Sequence, residues 1–142
     1  MDVHEQLQVL ERLAADIERK VGWQINCEPS HGGGKVRVGK ANHFSMTLFE
    51  SKTKNITAFA VIHPRLGCLD IVIGKRFFNE AEIERMSYVQ ALPNSGLGRN
   101  CLRWRICQAG GKDYDEAVYW LSVACRPTTS CASCNPRNLP GG

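Results

Sequence analysis

The chain contains no apolar run approaching the roughly 18 residues that a membrane-spanning helix needs. Its first residues, Met1-Asp2-Val3-His4-Glu5-Gln6, carry neither a basic n-region nor an apolar h-region, so they do not read as a secretory signal. No internal repeat is visible, so no repeat architecture is indicated. Acids are scarce through the middle of the chain. Between residues 35 and 112, only Glu50, Asp70, Glu80, Glu82 and Glu84 stand against Lys35, Arg37, Lys40, Lys52, Lys54, Arg65, Lys75, Arg76, Arg85, Arg99, Arg103, Arg105 and Lys112. What is present is the make-up of an ordinary soluble domain. The 142 residues are 43% hydrophobic and 23% charged, with a net charge of +4, and suffice for one core. A cytoplasmic protein with no membrane contact is the expectation.

The cysteine count, seven, is odd. Cys27, Cys68, Cys101 and Cys107 fall inside predicted strands, and in a reducing compartment they are expected as small buried thiols. Cys125, Cys131 and Cys134 give a C-x5-C-x2-C spacing. The last two have the spacing of a zinc-binding pair, Cys125 would be a third ligand, and Cys101 or Cys107 a fourth. That set is incomplete as a zinc grammar, because structural zinc sites use two close pairs. Spectator thiols and no cofactor are the expectation, with zinc as the alternative.

The hydrophobic pattern predicts an α+β fold. Val3, Leu7, Leu10, Ala14, Ile17 and Val21 recur at helical steps over residues 3–21. The stripe can pack on the chain's own sheet or form a homodimer seam. Alternating or continuous β-rich runs follow at Trp23–Cys27, Lys35–Gly39, His43–Glu50, Ile56–Ile62, Cys68–Gly74 and Cys101–Cys107. Ile56–Gly74 reads as a hairpin across His63-Pro64-Arg65-Leu66-Gly67, and its apolar strands place it in the middle of the sheet. Asn79-Glu80-Ala81-Glu82 is a capping-box start for a short helix through about Ser87. Pro93–Asn100 reads as a loop. Asp113-Tyr114-Asp115-Glu116 starts a final helix that Pro127 stops. The prediction is an antiparallel sheet of five or six strands with an N-terminal, a short middle and a C-terminal helix on one face. Residues 1–125 form the single domain, and 126–142 a loosely ordered tail rich in Cys, Pro and Gly.

Catalytic motifs fail one by one. His31-Gly32-Gly33-Gly34 resembles the oxyanion-hole segment of some α/β-hydrolases, but the required G-x-S-x-G elbow is missing. Gly32-Gly33-Gly34-Lys35-Val36 lacks P-loop spacing. His43-Phe44-Ser45 resembles one half of the paired H-x-[ST] motif of two-histidine phosphoesterases, and His63-Pro64-Arg65 does not supply the other half. Asp70 is the one acid inside a strongly apolar strand. It reads as exposed on a sheet face, or as functional if it is buried and partnered.

The remaining pattern is basic. Arg103 and Arg105 share one face of a strand by the period of two, while Trp104 faces the core. With Lys35, Arg37 and Arg99 they would form a phosphate-binding patch if strand pairing gathers them. A solvated polar face is the plain alternative.

The order of features resembles a bacterial family of predicted transport proteins, small domains found beside or fused to restriction-type nucleases. The residues that carry the resemblance are Val36, Phe44, Ala60 to Ile62, Leu69 to Ile73, Trp104 to Ile106 and Asp113 to Ala124. It covers about residues 22–125 and brings no catalytic residues with it. It implies an accessory role linked to nucleic acid.

The leading expectation is therefore a small intracellular, non-enzymatic binding module whose basic sheet face contacts nucleic acid or a nucleic-acid-processing enzyme. One alternative is a protein–protein interaction or inhibitor protein that dimerises through residues 3–21. The other is a small-molecule-binding domain or enzyme with a pocket near His31, His43 and Asp70.

Overall fold

The computed structural model describes residues 1–22, 24–29, 37–38, 41–50, 54–95 and 98–125, with side chains over 1–22, 58–92 and 100–125. Helix α1 spans Val3–Val21 and α3 spans Lys112–Ala124, with the short α2 at Glu80–Glu84. The strands are β1 Gln24–Pro29, β2 Arg37–Val38, β3 Ala41–Glu50, β4 Lys54–His63, β5 Cys68–Gly74, β6 Val89–Ser95 and β7 Gly98–Ile106. Every pairing is antiparallel, in the order β1-β3-β4-β5-β7-β6, with β2 against β3. The fold is thus α+β, an antiparallel sheet with helices at both ends of the chain. Among the described residues, no helix is long and apolar enough to cross a membrane.

Local signals start and stop the helices. The Asp2 side chain accepts from the Glu5 N–H, and the Glu5 side chain accepts from the Asp2 N–H, so α1 begins on a capping box. It ends at Gly22, whose φ of 73° makes the left-handed turn that returns its N–H to Glu18. Helix α2 starts on the Asn79–Glu82 box, as expected, but stops at Glu84 instead of running to Ser87. The reason lies on α3. The Glu116 carboxylate accepts from the backbone N–H groups of Ser87 and Tyr88, both at 2.7 Å, and so holds the chain out of the helix.

The β4–β5 hairpin lies mid-sheet, and every residue of β5 except Gly74 is buried. Its turn closes at Gly67, where φ is 77°, through a bond from the Gly67 N–H to the His63 carbonyl. The N-terminal ammonium reaches the Gly67 carbonyl at 2.7 Å, and a Cβ at position 67 would come within 3.1 Å of that nitrogen.

Register sorts the strands into two faces. Ile62, Leu69 and Ile106 form one row across β4, β5 and β7, Ala60, Ile71 and Trp104 the next, and Ala58, Ile73 and Leu102 a third. All nine are buried, and they share one core with Leu10, Leu13 and Ile17 of α1 and with Tyr114, Ala117, Val118 and Leu121 of α3. The apolar stripe of α1 is covered by the chain's own sheet at Leu10 and Ile17, while Val3, Leu7, Ala14 and Val21 pack on the same core from its margin. Full burial of such a side chain is worth about 1.5–3 kcal/mol.

The stretch Pro93–Asn100 departs from the expected loop. Residues Val89–Ser95 form β6, paired with β7 from Val89↔Trp104 to Ser95↔Gly98. In the sheet order β6 is an outermost strand, and an edge is where a strand tolerates the missing N–H of Pro93. Residues 126–142 lie outside the described residues.

Candidate functional site

The second face of the sheet, opposite the helices, carries the alternate residues. One row across β4, β5 and the end of β7 is His63, Cys68 and Cys107. The next is Val61, Asp70 and Arg105, and the third is Phe59, Val72, Arg103 and Gln90. Arg103 and Arg105 do share this face, with Trp104 wholly buried beneath them.

Asp70 is the centre of the arrangement, and it is buried and partnered rather than exposed. Its relative exposure is only 3%. Arg105 grips it bidentately, Nε to Oδ1 at 2.8 Å and Nη2 to Oδ2 at 2.9 Å. The His63 Nε2 lies 2.8 Å from Oδ2. A carboxylate held by a guanidinium accepts hydrogen bonds only, so His63 donates to it through Nε2. The bond from Asp70 holds the Arg105 guanidinium above its ordinary range. Arg105 is therefore spent largely inside the protein, as the counter-charge of a buried acid.

Arg103 differs. Its Nη2 bonds to the Gln90 side chain, and its Nε is buried with no hydrogen-bond partner among the described residues. Such an orphaned donor is unusual in a folded protein. Lys35 lies outside the described residues. Arg37 is placed only by its pairing with Asn42 in β2, and Arg99 only by its pairing with Asn94 in β7. Asn100, with φ of 53°, separates Arg99 from the regular alternation of Cys101–Ile106.

Cys68 and Cys107, expected as buried thiols, form a disulfide instead, with an S–S distance of 2.09 Å. The β5–β7 register explains it. Leu69 pairs with Ile106, so the residues next in line face each other directly, and their Cα atoms are 4.3 Å apart. Cys101 and Cys125 are free and buried. Burial pushes the Cys125 thiol up to about 12, which keeps it protonated. Its expected zinc partners Cys131 and Cys134 lie outside the described residues. Among the described residues no cluster of three His, Cys, Asp or Glu is placed to hold a metal ion.

Of the third expected set, His43 occupies the register position opposite Val61, which in turn faces Asp70. Two strand spacings of about 4.8 Å thus separate the His43 and Asp70 positions. His31 lies outside the described residues. A cleft of about 780 Å³ does open in the molecule, but Phe59, Val72, Phe77 and Cys101 line it, and Asp70 does not.

Sequence reasoning missed His63 and Gln6. The signal for His63 was present. Once the hairpin turn is placed, positions 63 and 70 become diagonal neighbours on one face. No family model, no curated protein and no solved structure matches the chain.

Proposed function

We propose that the protein is a small, non-enzymatic binding module that meets nucleic acid, or an enzyme that processes it, through the sheet face opposite the helices. The observation that supports this reading most is Arg103. Its guanidinium bonds through Nη2 to the neutral Gln90 side chain and, among the described residues, not to an acid, on a face where Arg105 lies one row away. An arginine edge of this kind matches the oxygens of a phosphodiester. Arg105 contributes order more than charge, because Asp70 already takes up two of its donors and balances its charge. Arg99, paired with Asn94, extends the proposed contact, whereas Arg37 pairs with Asn42 in the row of Ile62 and so belongs to the other face. The accessory role implied by the family resemblance agrees with the same reading.

Fluorescence anisotropy with labelled single-stranded and duplex oligonucleotides tests it. Binding is expected at low salt, weakening linearly in log–log form as salt rises, with a slope of about −0.7 per phosphate contact on a single strand. Arg103→Gln is expected to reduce the magnitude of that slope by roughly one contact. Arg105→Gln acts through the fold of the site and is expected to leave the slope nearly unchanged. A wild-type protein that binds no oligonucleotide at low salt overturns the reading.

A further inference from the structure

We propose that the Cys68–Cys107 disulfide is a thiol-exchange site, which accepts two electrons from an external dithiol while His63 supplies the proton to the departing sulfur. The inference is independent of the binding reading above. It rests on three observations.

The first is asymmetry. Cys107 is exposed just past the end of β7, whereas Cys68 is buried at 5% relative exposure. An incoming thiolate therefore reaches the Cys107 sulfur, and Cys68 is the leaving group.

The second is the neighbour of that leaving group. His63 is the direct cross-strand partner of Cys68, on the opposite side from Cys107. Opposed side chains on one face of an antiparallel pair lie about 4.5–5.5 Å apart at Cβ. His63 is fixed at both ends. Asp70 binds its Nε2, and the Gln6 carboxamide binds its backbone N–H and C=O. A buried carboxylate orienting an imidazole beside a sulfur is the arrangement that proton transfer to a leaving thiolate requires.

The third is access. A groove of about 420 Å³ runs beside Cys107, between Glu5, Gln8 and Arg12 of α1 and Gln108. Its wall mixes the charged and carboxamide groups of Glu5, Gln8, Arg12 and Gln108 with the apolar Val9 and Ala109, so it suits a peptide thiol of mixed polarity.

The reaction balances as follows. A substrate thiolate attacks Cys107 Sγ, forming a substrate–Cys107 disulfide and breaking the Cys68–Cys107 bond. The electron pair goes to Cys68 Sγ, which takes a proton from the imidazolium form of His63, and the proton released by the substrate thiol restores that imidazolium through solvent. The second substrate thiol then attacks the substrate sulfur, closing a substrate disulfide and releasing Cys107, which takes a proton from solvent. The dithiol loses two electrons and two protons, and the protein gains both.

The test uses the full chain under native conditions, with circular dichroism to report folding. Glutathione, a monothiol, completes the second step only through a second molecule, so brief exposure followed by rapid alkylation traps the mixed disulfide. Mass spectrometry after rapid alkylation is expected to find glutathione on Cys107 and the alkylating group on Cys68. His63→Gln is expected to slow opening by dithiothreitol roughly tenfold or more. His63→Ala is expected to regain much of the rate when imidazole is added, which a merely structural histidine would not allow. Cys68→Ser, which leaves Cys107 alone, is expected to take up glutathione from its oxidised form while folded. Glutathione found on Cys68, a bond that opens only as the fold is lost, or opening rates unaffected by His63→Gln and imidazole would each overturn the proposal.

Discussion

The Gln6 carboxamide replaces a strand at the point where β4 runs out of one. Its Oε1 accepts from the His63 N–H at 2.9 Å, and its Nε2 donates to the His63 carbonyl at 3.1 Å and to the Met1 carbonyl at 2.9 Å. The last pairing of β4 with β3 is Asn42↔Ile62, one residue earlier. Gln6 is wholly buried, so these bonds are its solvation. Gln6→Leu keeps much of the volume and removes all three. It leaves the His63 N–H without its acceptor and is expected to cost about 1–3 kcal/mol in urea unfolding. An unchanged urea midpoint would show that water takes over the role. The same variant releases one of the two anchors of His63.

The Asp70–Arg105 pair predicts unequal effects from its two halves. Asp70 has 4% of its side chain exposed and Arg105 37%. Removing the arginine strands a buried carboxylate with His63 alone, whereas removing the carboxylate leaves an arginine that can turn toward water. Arg105→Leu is therefore expected to destabilise more than Asp70→Asn, by up to about 3 kcal/mol, the low end for a broken buried pair because Arg105 is partly solvated. The double variant is expected to recover part of the loss of the worse single one. Three chemical denaturation curves decide it, and equal losses from both singles would contradict the argument.

Much of the frame was legible from periodicity, because periodicity reports burial directly. The stripe from Val3 to Val21, the apolar hairpin, and the alternation of Leu102, Trp104 and Ile106 with Arg103 and Arg105 all reflect which side of an element meets the core. Partners across the sheet were far less legible. Asp70 and Arg105 are 35 positions apart, and Cys68 and Cys107 are 39 apart. Each pair is set by the β5–β7 register, which depends on how the chain crosses from Lys75 to Arg99 and not on local pattern. The strand at Val89–Ser95 was hidden for another reason. Pro93, Asn94 and Ser95 have turn chemistry, and only an edge position makes them acceptable as a strand. A lone acid in an apolar strand was the right place to look for a site, but its exposure was misjudged because its counter-ion was out of sight.

Helix α1 and helix α3 are joined by a bond that titrates at both ends. The Tyr114 hydroxyl donates to Asp16, which also pairs with Arg19 and Arg12. The Tyr114 bond, followed by the arginines and opposed by desolvation, holds the Asp16 carboxyl below its ordinary value of 3.8. A depressed carboxylate stabilises the fold above its unfolded value and loses that contribution as pH falls through the folded one. Burial, then the bond to Asp16, raises the Tyr114 phenol above its ordinary 10.0. That contribution is complete below pH 10.0 and fades as pH rises beyond it. Asp16→Asn is expected to flatten the acid side of the stability profile, and Tyr114→Phe the alkaline side. Thermal melts across pH check both, and an acid limb as steep in Asp16→Asn as in wild type would refute the linkage.

Glu116 ties three elements together from one turn of α3. Its Oε2 accepts from the Trp104 indole at 3.0 Å and from the Tyr88 N–H, and its Oε1 accepts from the Ser87 N–H. The indole lies in the core, with Phe78 edge-on to it at 6.4 Å between ring centroids. Without an acceptor its N–H would be buried and unsatisfied. Glu116→Ala is expected to cost about 1–3 kcal/mol through that orphaned donor. It should also free the backbone between α2 and β6. Glu116→Gln keeps one carbonyl acceptor but turns the other oxygen into a donor, which faces backbone N–H groups or the indole and repels them. Its loss is therefore expected to approach that of the alanine variant, not to lie near wild type. Amide hydrogen exchange separates these outcomes. Faster exchange at Ser87 and Tyr88 in both variants, with β5 still protected, is the expected pattern. Protection that stays at the wild-type level at those two amides would mean that Glu116 does not hold them.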